Sequence, residues 1–256
     1  MDTRFFDPDF FLESLAKVAS KIPLTLELTL LAFSLGFVLG LIFALLKINR
    51  VPVLFHAANG LISFLRGTPV ILQLYLIYYL IPVLIGNFMQ ALNIPFESSE
   101  IPAFALVTIA LGLNMSAYLA EAIRSALEAV SKDEIQAAYS MGMTSTMVFQ
   151  RIVFPEALRV GVPNFSTILI GSLHATSLAF FVTLVEVTGQ ANINAQENWR
   201  YLEAFFGVGV VYWVITLAIE FATHVFERRL NRSQHRNADD DGKAVARQAG
   251  AIALEN

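Results

Sequence analysis

The chain holds 256 residues, 56% hydrophobic and 15% charged, with 17 basic and 21 acidic side chains that leave a net charge of −4. Soluble domains run at about 45–50% apolar and about 25% charged, so this chain carries more apolar material than one water-soluble core absorbs. It has no cysteine, which excludes disulfides, thiolate metal sites and cysteine nucleophiles, and its mild charge points to no nucleic-acid partner.

Residues 1–21 read as an N-terminal extension. Asp2, Arg4 and Asp7 precede any apolar run, and no basic stretch leads into one, which argues against a cleavable signal peptide. Phe11, Leu15, Val18 and Ile22 then recur at helical spacing, with Glu13, Lys17 and Lys21 elsewhere on the wheel. Two readings fit: a short interfacial helix on the outer surface, or a plain extension of the first span.

A bilayer core about 30 Å thick is crossed by about 20 mostly apolar helical residues. Five stretches meet that length: residues 22–46, 68–88, 103–123, 160–187 and 204–226. The first carries Pro23, Thr25 and Glu27 near one end, the second Gln73 and Pro82, the fourth His174 and the fifth Glu220. The fold class is therefore all-α, an integral membrane protein with five transmembrane helices. Arg4, Lys17, Lys21 and Arg200 fall on one side of these spans and the other thirteen of the 17 basic residues on the opposite side. Basic residues concentrate in cytoplasmic loops, which predicts the N-terminus outside and the C-terminus inside. The loop over residues 87–102 has no Lys or Arg, as an outside loop should. Residues 22–228 form the membrane domain, Trp199, Arg200 and Tyr201 an interfacial anchor, and residues 229–256 a polar cytoplasmic tail that reads as disordered.

The loop over residues 125–158 is long for a connector and rich in helix formers. Glu128, Ala129, Glu134, Gln136, Ala137 and Ala138 precede Gly142, and a second amphipathic stretch leads to Pro155. Two short helices around a glycine make a stiff shape suited to docking in a groove of another protein and carrying its motion into the spans.

Gln136-Ala137-Ala138, three residues, Gly142, nine residues and then Ile152-Val153-Phe154-Pro155 resembles the EAA loop of ABC importer permeases. The spacing agrees throughout. Gln136 stands where that family has Glu, and Phe154 where it has Leu, so Gln136 offers a hydrogen bond in place of the family's ion pair. Arg66-Gly67-Thr68-Pro69 with Gln73-Leu74, the run from Leu113 through Glu121, and Thr176-Ser177-Leu178 resemble the polar amino acid branch of the family. The similarity covers residues 20–228 and implies a type I ABC importer transmembrane domain.

Under that resemblance two permease chains, alike or different, form a pathway across the cytoplasmic (inner) membrane. A cytosolic ATPase dimer binds the coupling loops through Gln136, Ala137, Ala138, Gly142, Ile152 and Pro155, and an extracellular or periplasmic binding protein delivers the amino acid. ATP and Mg bind the ATPase, so no cofactor is expected in this chain. That accords with the absence of a Gly-x4-Gly-Lys-Ser/Thr phosphate loop.

Polar groups at membrane depth are expensive and mark functional surfaces. Gln73, Asn114, Ser116, Tyr118, His174, Thr176 and Ser177 are therefore the candidate substrate-pathway residues. Asn114 and Tyr118 share a helix face at i and i+4, whereas Ser116 does not share it with Asn114. Glu121 and Arg124 are expected to pair or to face water. Many relatives carry Lys-Asp before Thr-Ser-Leu, where this chain has His174-Ala175. Without that Asp the expectation moves from cationic amino acids to a neutral or zwitterionic one such as cystine.

A secondary amino acid transporter working on an ion gradient is the alternative. The lack of an internal repeat and the long docking loop argue against it. His56, His174, His224 and His235 have no metal-ligand spacing and no nucleophile motif is present, so neither a catalytic nor a metal site is expected.

Overall fold

A computed structural model describes residues 5–97 and 100–254, and among them the chain is helical with no strand. Five helices are long and apolar enough to cross a membrane. They correspond one for one to the predicted spans, although several boundaries move for physical reasons.

Helix α1 (Pro8–Ala19) is a separate element and not an extension of the first span. Asp7 caps it, accepting from the backbone N–H of Asp9 at 3.1 Å and of Phe10 at 3.2 Å. A turn at Ser20 and Lys21 ends it. Pro23, which has no N–H to continue α1, then sits comfortably in the first turn of α2 (Ile22–Ile48).

Helix α2 is apolar all round, so only the small residues on it tell which face is covered. Ala32, Gly36, Gly40 and Ala44 lie four apart and are all buried, a ridge of the small-xxx-small kind that lets two membrane helices touch backbone to backbone. Their partner is α5 (Ala103–Leu127), the most enclosed of the spans. A Cβ on Gly36 would stand 2.9 Å from the Gly112 carbonyl oxygen, and one on Gly40 would stand 2.8 Å from the Leu119 Cβ. Leu28, Leu74, Val107, Leu111 and Val182 complete the core at the other end of this pair.

Between the first two spans lies α3 (Leu54–Gly67), which the sequence reading leaves within a loop. Ala58, Ile62 and Leu65 are buried at helical spacing, Ile62 and Leu65 against Ala117 and Ala120 of α5. Pro69 disfavours a helical Thr68, which is extended with ψ 145°, and α4 (Val70–Ala91) starts afresh beyond it. Leu76, Tyr79, Leu80, Val83, Leu84 and Phe88 on α4 remain exposed, as an apolar face turned to lipid or to another subunit would be.

Helix α8 (Phe154–Ala175) begins inside the stretch assigned to the loop and stops well short of residue 187. A 3₁₀ turn over Thr176–Val182 follows and ends at Thr183 with φ 68°. Helix α9 (Val187–Asn198), absent from the sequence reading, packs with α1 against α10 (Tyr201–Leu254) around Val18, Val187, Ala191, Ala204 and Val208. The α10 backbone stays helical through Leu254, where the composition pointed to disorder; that stretch holds no proline to break it.

Candidate functional site

Three groups of residues carry the interest: a buried polar junction between two helices, an elbow at one end of the spans, and buried polar pairs at the other end.

The junction is where α3 breaks and α4 begins. Breaking a helix inside an apolar medium strands backbone carbonyls, and each must find a donor. Gln73 Nε2 supplies one, donating to the Leu65 carbonyl at 2.8 Å and to the Thr68 hydroxyl at 2.7 Å. Asn114 of α5 donates to Gln73 Oε1 at 2.9 Å. Both amides are buried. The two residues the sequence singled out separately are thus one bonded pair that pins the break in α3/α4 to α5.

Asn114 and Tyr118 line the same cavity of about 440 Å³, together with Pro69, Thr167 and Gly171, between the start of α4, α5 and α8. His174 lies on the exposed side of α8. Its Nε2 is 3.4 Å from the Thr216 hydroxyl, and its ring meets Tyr212 edge to face at 6.0 Å. Ser177 is partly exposed and donates to the His174 carbonyl at 2.7 Å. Ser116 and Thr176 are different. Both are fully buried and donate back to their own helices, to Leu113 and Leu173, each at 2.6 Å. Burial puts these two in helix packing and not on an open face.

The elbow connects α6 (Lys132–Ser140) to α7 (Ser145–Val148). Ser131 caps α6 through the Glu134 N–H at 3.2 Å, and Thr144 caps α7 through the Met147 N–H at 3.4 Å. Gly142, with φ 82°, closes α6. The Gly142 N–H reaches the Tyr139 carbonyl at 2.9 Å and the Met143 N–H reaches Ala138 at 3.2 Å, the paired bonds of a Schellman end, which calls for a left-handed residue at that position. Gln136 and Ala137 face outward, as do Tyr139, Met141, Met147, Phe149 and Phe154, whereas Ala138 is buried. Ile152 lies in a π-helical turn over Phe149–Val153, and Pro155 opens α8. The second half of the loop is therefore continuous with the fourth span, so a push on α7 is a push on α8.

At the same end, Lys47 of α2 pairs with Glu121 of α5. Arg124 bonds Glu121 at 2.9 Å and Glu128 at 2.6 Å. The expected Glu121–Arg124 pair is present, while Lys47 joins it from 74 residues away, a separation no local pattern reveals.

The opposite end holds groups the sequence reading passed over. Glu186 is fully buried and caps α9, accepting from the N–H of Thr188 and of Gly189 at 2.9 Å each. The Tyr212 hydroxyl donates to it at 3.0 Å. Burial pushes the Glu186 carboxyl above its ordinary range, with those bonds opposing the shift. Asn194 donates to Ser14 of α1 at 3.0 Å, and Arg200 bonds Glu203 at 2.9 Å and Asp7 at 3.4 Å. A carboxylate two and three residues ahead of a Thr-Gly pair was the signal available for Glu186 as a cap. Trp199 stands exposed, as an interfacial anchor should, but Arg200 beside it is committed to tying α1 to α10.

Five helices apolar enough to span a membrane, with a stiff exposed elbow at one end, define a helical membrane protein. The sequence profile described as "Binding-protein-dependent transport system inner membrane component" matches residues 36–232, and the chain belongs to that family. It is 34% identical over 226 residues to the probable amino-acid permease protein YxeN of Bacillus subtilis, covering 88% of this chain and 96% of the relative. It is 32% identical over 231 residues to the L-cystine transport system permease protein TcyL of the same organism, covering 90% and 94%. Among solved structures, that of an amino acid ABC transporter with histidines superposes with a TM-score of 0.73 at 30% identity, covering 88% of this chain and all of the other. The chain is thus a multi-pass bacterial inner-membrane transport subunit and not an enzyme, and ATP hydrolysis belongs to a separate subunit.

Proposed function

We propose that this chain is the permease subunit of a type I ABC importer for polar amino acids. The observation that carries the reading is the Schellman-closed elbow at Gly142, which presents Gln136 and Ala137 at the surface and continues through α7 into the fourth span. The amino-acid and L-cystine permeases it resembles support the substrate class, and a neutral or zwitterionic amino acid fits a pathway whose polar face is Asn114, Tyr118, His174 and Ser177. Gln73, Ser116 and Thr176 support that face from within the packing. Asn114 and Tyr118 meet the substrate within the cavity between α4, α5 and α8.

A second permease chain covers the open side of that cavity. An ATPase dimer, holding ATP and Mg, grips the elbow of each permease through Gln136, Ala137, Ala138 and Gly142, with Ile152 and Pro155 passing the motion to α8. A binding protein delivers the amino acid on the opposite side, next to α1 and α9. The N-terminus lies outside and the C-terminal tail inside.

The test is to co-purify the chain with the ATPase encoded beside it and to measure hydrolysis with the binding protein and a panel of amino acids. A stable complex stimulated by one polar amino acid is expected. A chain that purifies alone and transports without ATP would identify a gradient-driven transporter instead.

A further inference from the structure

A second cavity opens beside the first, at the end of α2 and α5 that leads into the elbow. It is an open hollow of about 540 Å³ lined by Lys47, Asn59, Ser63, Arg66, Tyr118 and Glu121. Asn59, Ser63 and Arg66 stand at i, i+4 and i+7 on α3 and form one polar stripe beside the buried stripe of Ala58, Ile62 and Leu65. Among the described residues none of these three side chains makes a hydrogen bond or ion pair. The Arg66 guanidinium rests over the Tyr118 ring at 5.6 Å. Asn59 is half-buried while Ser63 and Arg66 are exposed, so three side chains that can donate border one open space, and the carboxylate that also borders it, Glu121, is held by Lys47 and Arg124.

We propose that this cavity is a second α-amino-acid site, on the elbow side of the membrane, which senses the transported product. Arg66, Asn59 and Ser63 receive the α-carboxylate, the guanidinium as a two-pronged donor. Glu121 meets the ammonium. Tyr118 borders both cavities, so a substrate leaving the pathway passes directly to Arg66. Occupation draws on Glu121, the group that ties α2 to α5 just ahead of the elbow, and so slows transport when product accumulates. A phospholipid headgroup phosphate would match the same cations, and the experiment separates the two sources. The proposal rests on the importer reading above.

The experiment uses the complete transporter, with its ATPase and binding protein, in liposomes containing ATP. The lumen is loaded with the transported amino acid or with its carboxamide, which lacks the carboxylate. The lumenal amino acid should slow initial uptake in the wild type, and the carboxamide should not. Arg66→Gln should raise the half-inhibitory lumenal concentration about tenfold, the scale of one charge-assisted hydrogen bond. Arg66→Lys should fall between the two. Each variant is compared with its own unloaded vesicles. Asn59→Leu, on the same stripe, should raise the half-inhibitory concentration as well, and it replaces Arg66→Gln should that protein not assemble. The proposal is overturned by equal inhibition in wild type and variants, by inhibition from the carboxamide, or by no inhibition at all. It is also overturned if Arg66→Gln changes only the dependence on anionic lipid, which would make the cavity a headgroup site. Absence of any ATP-dependent uptake in the wild type would instead bring down the importer reading, and this inference with it.

Discussion

The seam between α2 and α5 and the elbow between α6 and α7 both depend on glycine, for opposite reasons. Along the seam, Gly36 and Gly40 are present because there is no room for a side chain: an added Cβ would meet backbone or Cβ atoms at 2.8–2.9 Å, and one on Gly112 would meet the Leu35 Cδ2 at 2.8 Å. At the elbow nothing lies within 4 Å of where a Cβ of Gly142 would stand, and the constraint is the backbone itself, at φ 82°. One region is a packed contact that holds the spans together. The other is an exposed shape that, in the function proposed above, the ATPase grips. Damage to the first should be read in stability, and damage to the second in coupling with the fold intact.

The largest effect is expected from Gly40→Leu. Forcing a side chain into a backbone contact leaves neither helix room to adjust, and a loss on the order of 3 kcal/mol or more follows. The check is the yield of monodisperse protein in detergent and its thermal unfolding, where a wild-type transition would refute the close-packed seam. Next comes Asn114→Ala. It leaves the Gln73 Oε1 without its donor in a buried place, which should cost about 1–3 kcal/mol and lower transport through loss of the α3/α4 pin. If Asn114→Ala unfolds like the wild type, the pin is not structural.

Gly142→Val should sharpen the contrast. A β-branched residue in the left-handed region strains the backbone by about 1–2 kcal/mol, too little to unfold the spans. The variant should reach the membrane normally yet lose its ATPase on purification, or lose substrate-stimulated hydrolysis. Unchanged coupled transport would sink the docking role of the elbow.

Glu186 gives a pH test at the far end. Its folded-state pKa is raised by burial, so the stability it contributes is fully present below the unfolded value and is lost as pH rises through the folded one. Glu186→Gln should flatten that decline, measured as the pH dependence of thermal unfolding from acid to neutral pH. A variant with the wild-type slope would show that Glu186 does not titrate in this window. The smallest effect belongs to Glu13→Ala. The Glu13–Lys17 pair at 2.8 Å is exposed on both sides, and its removal should leave the thermal transition unmoved.

Much of the site could be read from the sequence where its signal was local. The elbow was legible because spacing alone places Gly142 at the end of one short helix and before the next. Gln73, Asn114 and His174 stood out as polar groups in apolar runs. What surrounds them was not legible: Gln73 and Asn114 are 41 residues apart and bond each other, and Ser116 and Thr176 are fully buried and bond back to their own helices despite the same polarity. The stripe of Ala58, Ile62 and Leu65 that makes α3 a helix was present in the sequence, but a short amphipathic segment between two spans is easily taken for a loop. Helix α9, nearly as polar as a connector, offered still less.

By itself the sequence determined that the chain crosses a membrane, how many times, and that one loop bends at Gly142 between two short helices, because hydropathy and turn chemistry act over a few residues. It could not determine which face of each span is covered. In lipid a leucine is as comfortable outside as inside, so apolar pattern carries no direction. The small-residue ridge of α2, the Lys47–Glu121 tie, the burial of Glu186 and the cavity under Arg66 were decided only when helices distant in sequence came together, since each depends on what a side chain finds across an interface.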